Sequence, residues 1–380
     1  MENFIAYNPT KLHFGKGVVK DLGDAAASLG TKAMLVYGKG SVLRNGSYAD
    51  TKKQLEKAGI EIIEYNGIKP NPVVEAVDEA AEIGRIEKVD LVVAVGGGSV
   101  IDSAKVLTIC IADGVKAWDV MKGKHAPKAA VPLISVLTLA ATGTEMNGVA
   151  VLQNHETDEK IGFRNVLMFP DHSFLDPSYT LSVPSSYTAY GIADLIAHCL
   201  EAWFGRGNAP LSDRFVVSII KEAMDIGPKL MTDLENYEYR ERIMWAATNA
   251  LNDTTIHGRV TGDWGLHGLG HVFSYLYDTA HGATLTLLYP AWMKQIGKEH
   301  PERVIELGKA LFAVETVEET AENFKSLFKK IGSPVKAQEV NLSEEHMDEI
   351  LDLMKRREVS GTNYSMDQED RKSIVEMTFQ

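Results

Sequence analysis

Through its first half the chain alternates short, almost wholly apolar runs with longer stretches of helical spacing. Lys11-Leu-His-Phe14 reads as a short edge strand ended by Gly15, and a helix is expected over 18–29. The run Ala33-Met-Leu-Val-Tyr37 is a buried strand by length and composition. It leads through Gly38-Lys39-Gly40-Ser41 to a helix over 48–57, stopped by Ala58-Gly59. A strand over 61–65, a turn at Lys69-Pro-Asn-Pro72 and a helix over 73–84 follow. The strand 90–95 then runs straight into Gly96-Gly97-Gly98-Ser99, with a helix over 100–111 behind it. Strand, loop and helix repeated in this way, with near-continuous apolar strands, predict a parallel sheet covered on both faces.

After the strand 131–137 the rhythm changes. Thr138-Leu-Ala-Ala-Thr142-Gly143-Thr144-Glu145 is a polar loop, and 148–176 reads as one or two β-hairpins closing at Asp176-Pro177. From Ser185 onward no convincing strand remains. Helices are expected over 188–205, 210–232, 238–252, 264–278, 283–299, 301–313, 316–331, 343–356 and 367–378, the last with Asp367 as N-cap. The domain boundary is placed near Pro184, giving an α/β domain over 1–184 and an all-helical domain over 185–380.

Composition narrows the class. The 380 residues suffice for two cores, with 45% hydrophobic and 24% charged residues and no long apolar or low-complexity tract. A net charge of −13 argues against nucleic-acid or anionic-membrane partners. It leaves room for an anionic cofactor, which local amides and a few cations can hold. The opening Met-Glu-Asn-Phe-Ile-Ala-Tyr lacks a basic and then apolar leader, and Cys110 and Cys199 lie far apart in apolar helical runs. Both features lead to the expectation of a cytoplasmic protein with reduced thiols.

Two stretches carry chemistry. The glycine turn 96–99 lies after a strand and before a helix, where backbone amides and the helix N-terminus can close on a phosphate pair. The bland alternative is a tight turn with no ligand. No GxGxxG is present, since Leu43 stands where the third glycine after Gly38-Lys39-Gly40 would be. The loop Gly38-Lys39-Gly40-Ser41-Val-Leu-Arg44 offers cations, a hydroxyl and amides but no acid, which suits a 2′-phosphate and favours NADP(H) over NAD(H).

The second stretch runs from Gly191 to Gly282. Asp194 and His198 are spaced to leave one helix face a turn apart, and His267, His271 and His281 follow in apolar, glycine-rich surroundings. An acid and imidazoles from separate helices can bind a divalent metal without cysteine. Read singly, each histidine could equally be a hydrogen-bonded core residue.

Together these residues resemble the iron-containing (group III) alcohol dehydrogenase family, in its butanol dehydrogenase-like branch. The matches are Gly96-Gly-Gly-Ser99 with Asp102 and Lys105, Thr142-Gly-Thr-Glu145, Lys160 and Asp176-Pro177. In the second half they are Asp194, His198 and Glu201 after Gly191, then Asp263-Trp264, His267-Gly-Leu-Gly-His271 and His281-Gly282. The resemblance spans essentially the whole chain. It implies an α/β N-terminal nucleotide-binding domain plus an all-α C-terminal domain, an architecture shared with dehydroquinate synthase, with the active site in the cleft between them. It implies Asp194, His198, His267 and His281 as ligands of one divalent metal, Fe(II) expected and Zn(II) possible. The implied cofactor contacts are Gly38, Lys39, Ser41, Gly97, Gly98, Ser99, Asp102, Thr138, Thr142 and Lys160. His271 matches a non-ligand histidine near the nicotinamide, a candidate to pass a proton to water or simply to pack there.

The activity implied is reversible hydride transfer between NADP(H) and a primary alcohol/aldehyde pair, in a homodimer paired partly through the first strand. Rival readings are an NAD-dependent polyol or diol dehydrogenase of the same fold, a dehydroquinate synthase-type lyase and a non-enzymatic nucleotide-binding module. The lyase would need a basic pocket, whereas 258–275 is largely neutral or apolar; the module would fit a lost ligand, and all four ligand positions are filled.

Overall fold

A computed structural model describes all 380 residues, and no helix in it is long and apolar enough to cross a membrane. The strands are β1 (Lys11–Phe14), β2 (Lys32–Tyr37), β3 (Glu61–Asn66), β4 (Leu91–Gly96), β5 (Leu133–Leu137), β6 (Val149–Asn154), β7 (Glu159–Arg164) and β8 (His172–Leu175). The chain forms two compact units, one of Tyr7–Val183 with Leu234–Thr248, the other of Met1–Ala6, Pro184–Asp233 and Asn249–Gln380.

The first unit is built on a six-stranded sheet in the order β1-β8-β5-β4-β2-β3, parallel at every pairing. Side chains alternate across its strands. Met34, Val36, Val92 and Ala94 enter one core with Ile101 and Ala104 of the helix Gly98–Asp113. Ala33, Leu35, Leu91, Val93 and Val95 enter the other with Leu22 and Leu55. Strands apolar on both faces must be covered on both, and each fully buried Leu or Val is worth roughly 1.5–3 kcal/mol. The register Val36↔Ala94 and Val95↔Val136 brings the carboxyl ends of β2, β4 and β5 side by side. The loops beginning at Gly38, Gly97 and Thr138 therefore leave one edge of the sheet.

Two features differ from the pattern reading. Within 148–176 there is one hairpin, β6 with β7; β8 instead inserts between β1 and β5. Ser173, Phe174 and Leu175 are buried there, and a buried four-residue run carries no mark of whether its partner lies near or far in sequence. The helix Tyr237–Ala250 belongs to the sheet unit as far as Thr248. Its Met244 joins that core, its Trp245 stands edge-on to Phe14 at 5.7 Å, and Thr248 donates to Glu145 Oε1 at 2.6 Å.

The second unit is helical apart from one isolated bridge, Arg206 to Thr261. Its helices are Ser185–Trp203, Pro210–Thr232, Gly265–Tyr277, His281–Ile296, Pro301–Phe312, Val317–Lys330, Met347–Arg356 and Gln368–Thr378. Asp367 caps the last one, accepting from the amides of Glu369 and Asp370. The helix expected from 283 starts at His281, which places that imidazole at the first helical position.

Candidate functional site

The helical unit gathers four ligand candidates from three helices. Asp194 and His198 leave one face of Ser185–Trp203, a turn apart, as the spacing predicts; His267 comes from Gly265–Tyr277 and His281 opens the next helix. Asp194 Oδ1 lies 3.9 Å from His198 Nε2, 4.0 Å from His267 Nε2 and 3.8 Å from His281 Nε2. These separations are too long for hydrogen bonds and near those of ligand atoms each about 2.0–2.2 Å from one shared ion. Ligand atoms of Asp194, His267 and His281 all lie within 4.8 Å of one another. His198 sits beside that triad, its ring stacked on His267 at 4.9 Å.

Asp194 Oδ1 is buried and accepts no hydrogen bond. A buried, unpartnered carboxylate oxygen is costly unless a cation meets it. One carboxylate and three imidazoles without sulfur suit Fe(II) or Zn(II), so the residues fit the ion that the motif implies.

Close packing makes the convergence possible. A Cβ on Gly282 would stand 2.2 Å from the Tyr190 carbonyl oxygen, and one on Gly270 would stand 2.7 Å from Thr284 Oγ1. Only glycine at these positions lets the three helices approach. Around the cluster the acids are deeply buried. Burial pushes the Glu201 carboxyl up to about 7, against the His267 and Trp264 amides that pull it down. Burial, then the Glu201 charge, raises Asp263 to about 6, opposed by the amides of Tyr364, Asn363 and Gly265. His271 is half-buried, one turn beyond His267, with its ring 5.1 Å from that of His281. It borders the cluster without a place in it.

In the sheet unit, Gly98 and Ser99 form the first turn of Gly98–Asp113, where amides have no intrahelical acceptor. A Cβ on Gly98 would stand 2.9 Å from Thr142 Cγ2, and one on Gly96 would stand 2.6 Å from Val100 Cγ2. Two of the three glycines are thus demanded by packing as well as by any phosphate. Thr138 follows β5, its amide donating to Gly96 O, so the glycine turn and the 138–145 loop are tied together. After β2, Gly38 meets Ile68 and Val100, and the Arg44 guanidinium folds back over Gly40. Lys39 is exposed and Ser41 begins a short helix. The one carboxylate on the neighbouring strand near Tyr37, that of Glu64, already accepts from Tyr37, Tyr48 and Lys52.

Asp102 and Lys160 serve the protein's own structure. Asp102 accepts from Thr144 Oγ1 at 2.6 Å and Val151 N at 2.9 Å, bracketing the loop against the hairpin. Lys160 Nζ donates to Asn71 Oδ1 at 2.8 Å. Sequence reasoning missed Asn71, a buried residue at φ 53° between two prolines; that left-handed Asn in a Pro-Asn-Pro turn was its available signal. It also assigned no role to Lys105, which is fully buried and donates to Asn147 Oδ1 and Val149 O. Burial pulls that amine down to about 7.

Comparison with known proteins matches two family models, iron-containing alcohol dehydrogenase over residues 9–177 and the C-terminal part of the Fe-containing alcohol dehydrogenase family over 188–379. The probable NADH-dependent butanol dehydrogenase 1 of Bacillus subtilis is 39% identical, with 99% of each chain covered. The NADPH-dependent aldehyde reductase YqhD of Escherichia coli is 31% identical, with 88% of each covered. The crystal structure of NADH-dependent butanol dehydrogenase A from Thermotoga maritima superposes with a TM-score of 0.95 at 37% identity, covering 100% of this chain and 99% of that one.

Proposed function

The chain belongs to the iron-containing alcohol dehydrogenase family and is an alcohol dehydrogenase or aldehyde reductase, and from that premise we propose reversible hydride transfer between NADP(H) and a primary alcohol/aldehyde pair. One observation carries the metal-dependent part: the buried, unpartnered Asp194 Oδ1 with three imidazole nitrogens at 3.8–4.0 Å. Asp194, His198, His267 and His281 would hold one divalent ion, Fe(II) by family expectation, with Zn(II) the alternative that the same donors accept. Such an ion supplies Lewis-acid polarisation of the substrate oxygen, and NADP(H) supplies or takes the hydride.

The protein's own part is binding and orientation. The amides of Gly97, Gly98 and Ser99 hold the pyrophosphate at the helix N-terminus. Gly38 lets the chain pass close to the Ile68 carbonyl, where a Cβ would stand 3.3 Å away, while Lys39 and Ser41 would hold the 2′-phosphate. Thr138, Thr142, Asp102 and Lys160 keep the loop and hairpin in place against the dinucleotide. His271, bordering the metal ligands, passes the alcohol proton to water.

A second reading, NAD(H) as preferred cofactor, is favoured by the relatives named NADH-dependent. The acid-free loop at 38–44 favours NADP(H), and the two are separated by kcat/KM measured with each reduced cofactor and butanal on iron-loaded protein. Higher kcat/KM with NADPH is expected; higher kcat/KM with NADH overturns the preference. No oxidation of either cofactor across a panel of primary aldehydes overturns the reaction itself. For His271, replacement by alanine that leaves the pH–rate profile unchanged removes the relay.

A further inference from the structure

Glu201 lies one turn beyond His198 on the helix that carries Asp194, and it is buried. Its two oxygens meet three nitrogens. Oε2 accepts from the Trp264 amide. Oε1 accepts from the His267 amide at 3.1 Å and lies 2.6 Å from His267 Nδ1. An ionised carboxylate carries no proton, so with Glu201 ionised both of its oxygens can only accept, from the ring as from the amides. That leaves His267 Nδ1 to carry the proton and Nε2 to carry the lone pair. Nε2 is the nitrogen 4.0 Å from Asp194 Oδ1.

We infer that Glu201 is the positioning residue of the metal centre: it sets the tautomer and tilt of His267 and ties that ligand to the helix bearing Asp194 and His198. The inference rests on the metal reading of the four ligands. A metal-bound imidazole whose other N–H is held by a carboxylate is both oriented and made more basic.

The segment leading to His267 is shaped for this contact. Trp264 adopts φ 62°, a left-handed conformation that costs a bulky residue about 1–3 kcal/mol. Its amide is thereby turned toward Glu201, and a Cβ on Gly262 would collide with the Trp264 indole at 2.9 Å. Asp263 N in turn donates to Glu201 O at 3.0 Å. The Asp263 carboxylate does different work, accepting only from the amides of Gly265, Asn363 and Tyr364. It pins the 361–364 loop.

The test uses the full chain stripped of metal and titrated with Co(II), read by its visible d–d absorption and by competition with a chelator. Wild-type protein should bind one Co(II) per chain. Glu201→Gln should weaken that affinity by about ten- to hundredfold and change the d–d band pattern. Asp263→Asn should lower the Tm while leaving Co(II) affinity within a fewfold of wild type. Glu201→Gln with wild-type affinity and spectrum overturns the role of Glu201 and leaves the metal centre standing. Wild-type protein that binds no Co(II), or an Asp194→Ala variant that binds it normally, overturns both. Should Glu201→Gln fail to fold, 15N-histidine NMR of Zn(II)-loaded wild-type protein decides. A slowly exchanging proton on His267 Nδ1 supports the assignment, and one on Nε2 overturns it.

Discussion

Asp194 Oδ1 stands 3.8 Å from His281 Nε2, a carboxylate from the middle of one helix against the first residue of another. The helix carrying His281 reaches that position because Gly282 lies directly against the Tyr190 carbonyl.

Gly282→Ala tests this contact. Its Cβ would fall 2.2 Å from Tyr190 O, and backbone on both sides must move. Overpacking of this kind costs about 1–3 kcal/mol, and the displacement falls on His281, one of the four proposed ligands. The expected result is a lower Tm together with a more than tenfold loss of Co(II) affinity, measured by thermal unfolding and chelator competition. Unchanged affinity would mean that His281 reaches the cluster without this close approach.

Metal removal should destabilise the protein. An ion that binds only the folded chain contributes about 4 kcal/mol when its free concentration is a thousandfold above Kd. Dialysis against a chelator is therefore expected to lower the wild-type Tm by several degrees, reversibly on adding Fe(II) anaerobically or Zn(II). Asp194→Ala should show no chelator-dependent change, by differential scanning calorimetry.

Lys39→Glu tests the cofactor assignment. Charge-assisted hydrogen bonds contribute about 1.5–3 kcal/mol, so reversing this charge beside a 2′-phosphate should cost about ten- to hundredfold in kcat/KM with NADPH. The value with NADH should move much less. Equal losses with both cofactors would place Lys39 away from the discriminating phosphate.

The sheet edge has its own pH dependence. His13 Nε2 and His172 Nδ1 lie 3.0 Å apart on β1 and β8, above Phe174. Burial, then the neighbouring His172 charge, holds His13 below 6.5; burial, then Lys11, does the same for His172. Below pH 6.5 the unfolded chain takes up protons that the folded edge resists. The contribution is therefore present above 6.5 and lost as pH falls through the lower folded values. His172→Phe should flatten the fall in Tm between pH 7 and 5 relative to wild type. An identical slope in both proteins removes the pair from the acid response.

Much of the site was legible because its signals are local. Asp194 and His198 are four residues apart, and helical periodicity alone puts them on one face. The glycine turn after β4 announces itself by following an apolar strand and preceding a helix. Asn71 showed only as the centre of a Pro-Asn-Pro turn and Glu201 only as part of the motif after Gly191, and neither said what it would bond. Asn71 acquires meaning only when Lys160 crosses from the hairpin to reach it, and Glu201 only when His267 arrives from another helix.

Sequence by itself determined the element types, the apolar strands open to two cores, the spacing of Asp194 and His198 on one helix face and the glycine turn after an apolar strand, since these depend on composition and spacing within a few turns. Tertiary structure alone decided that β8 pairs between β1 and β5, that Tyr237–Ala250 joins the sheet unit and that His281 meets Asp194. Those outcomes depend on which distant apolar faces and glycine notches fit together, and a residue's own neighbours in sequence do not encode that fit.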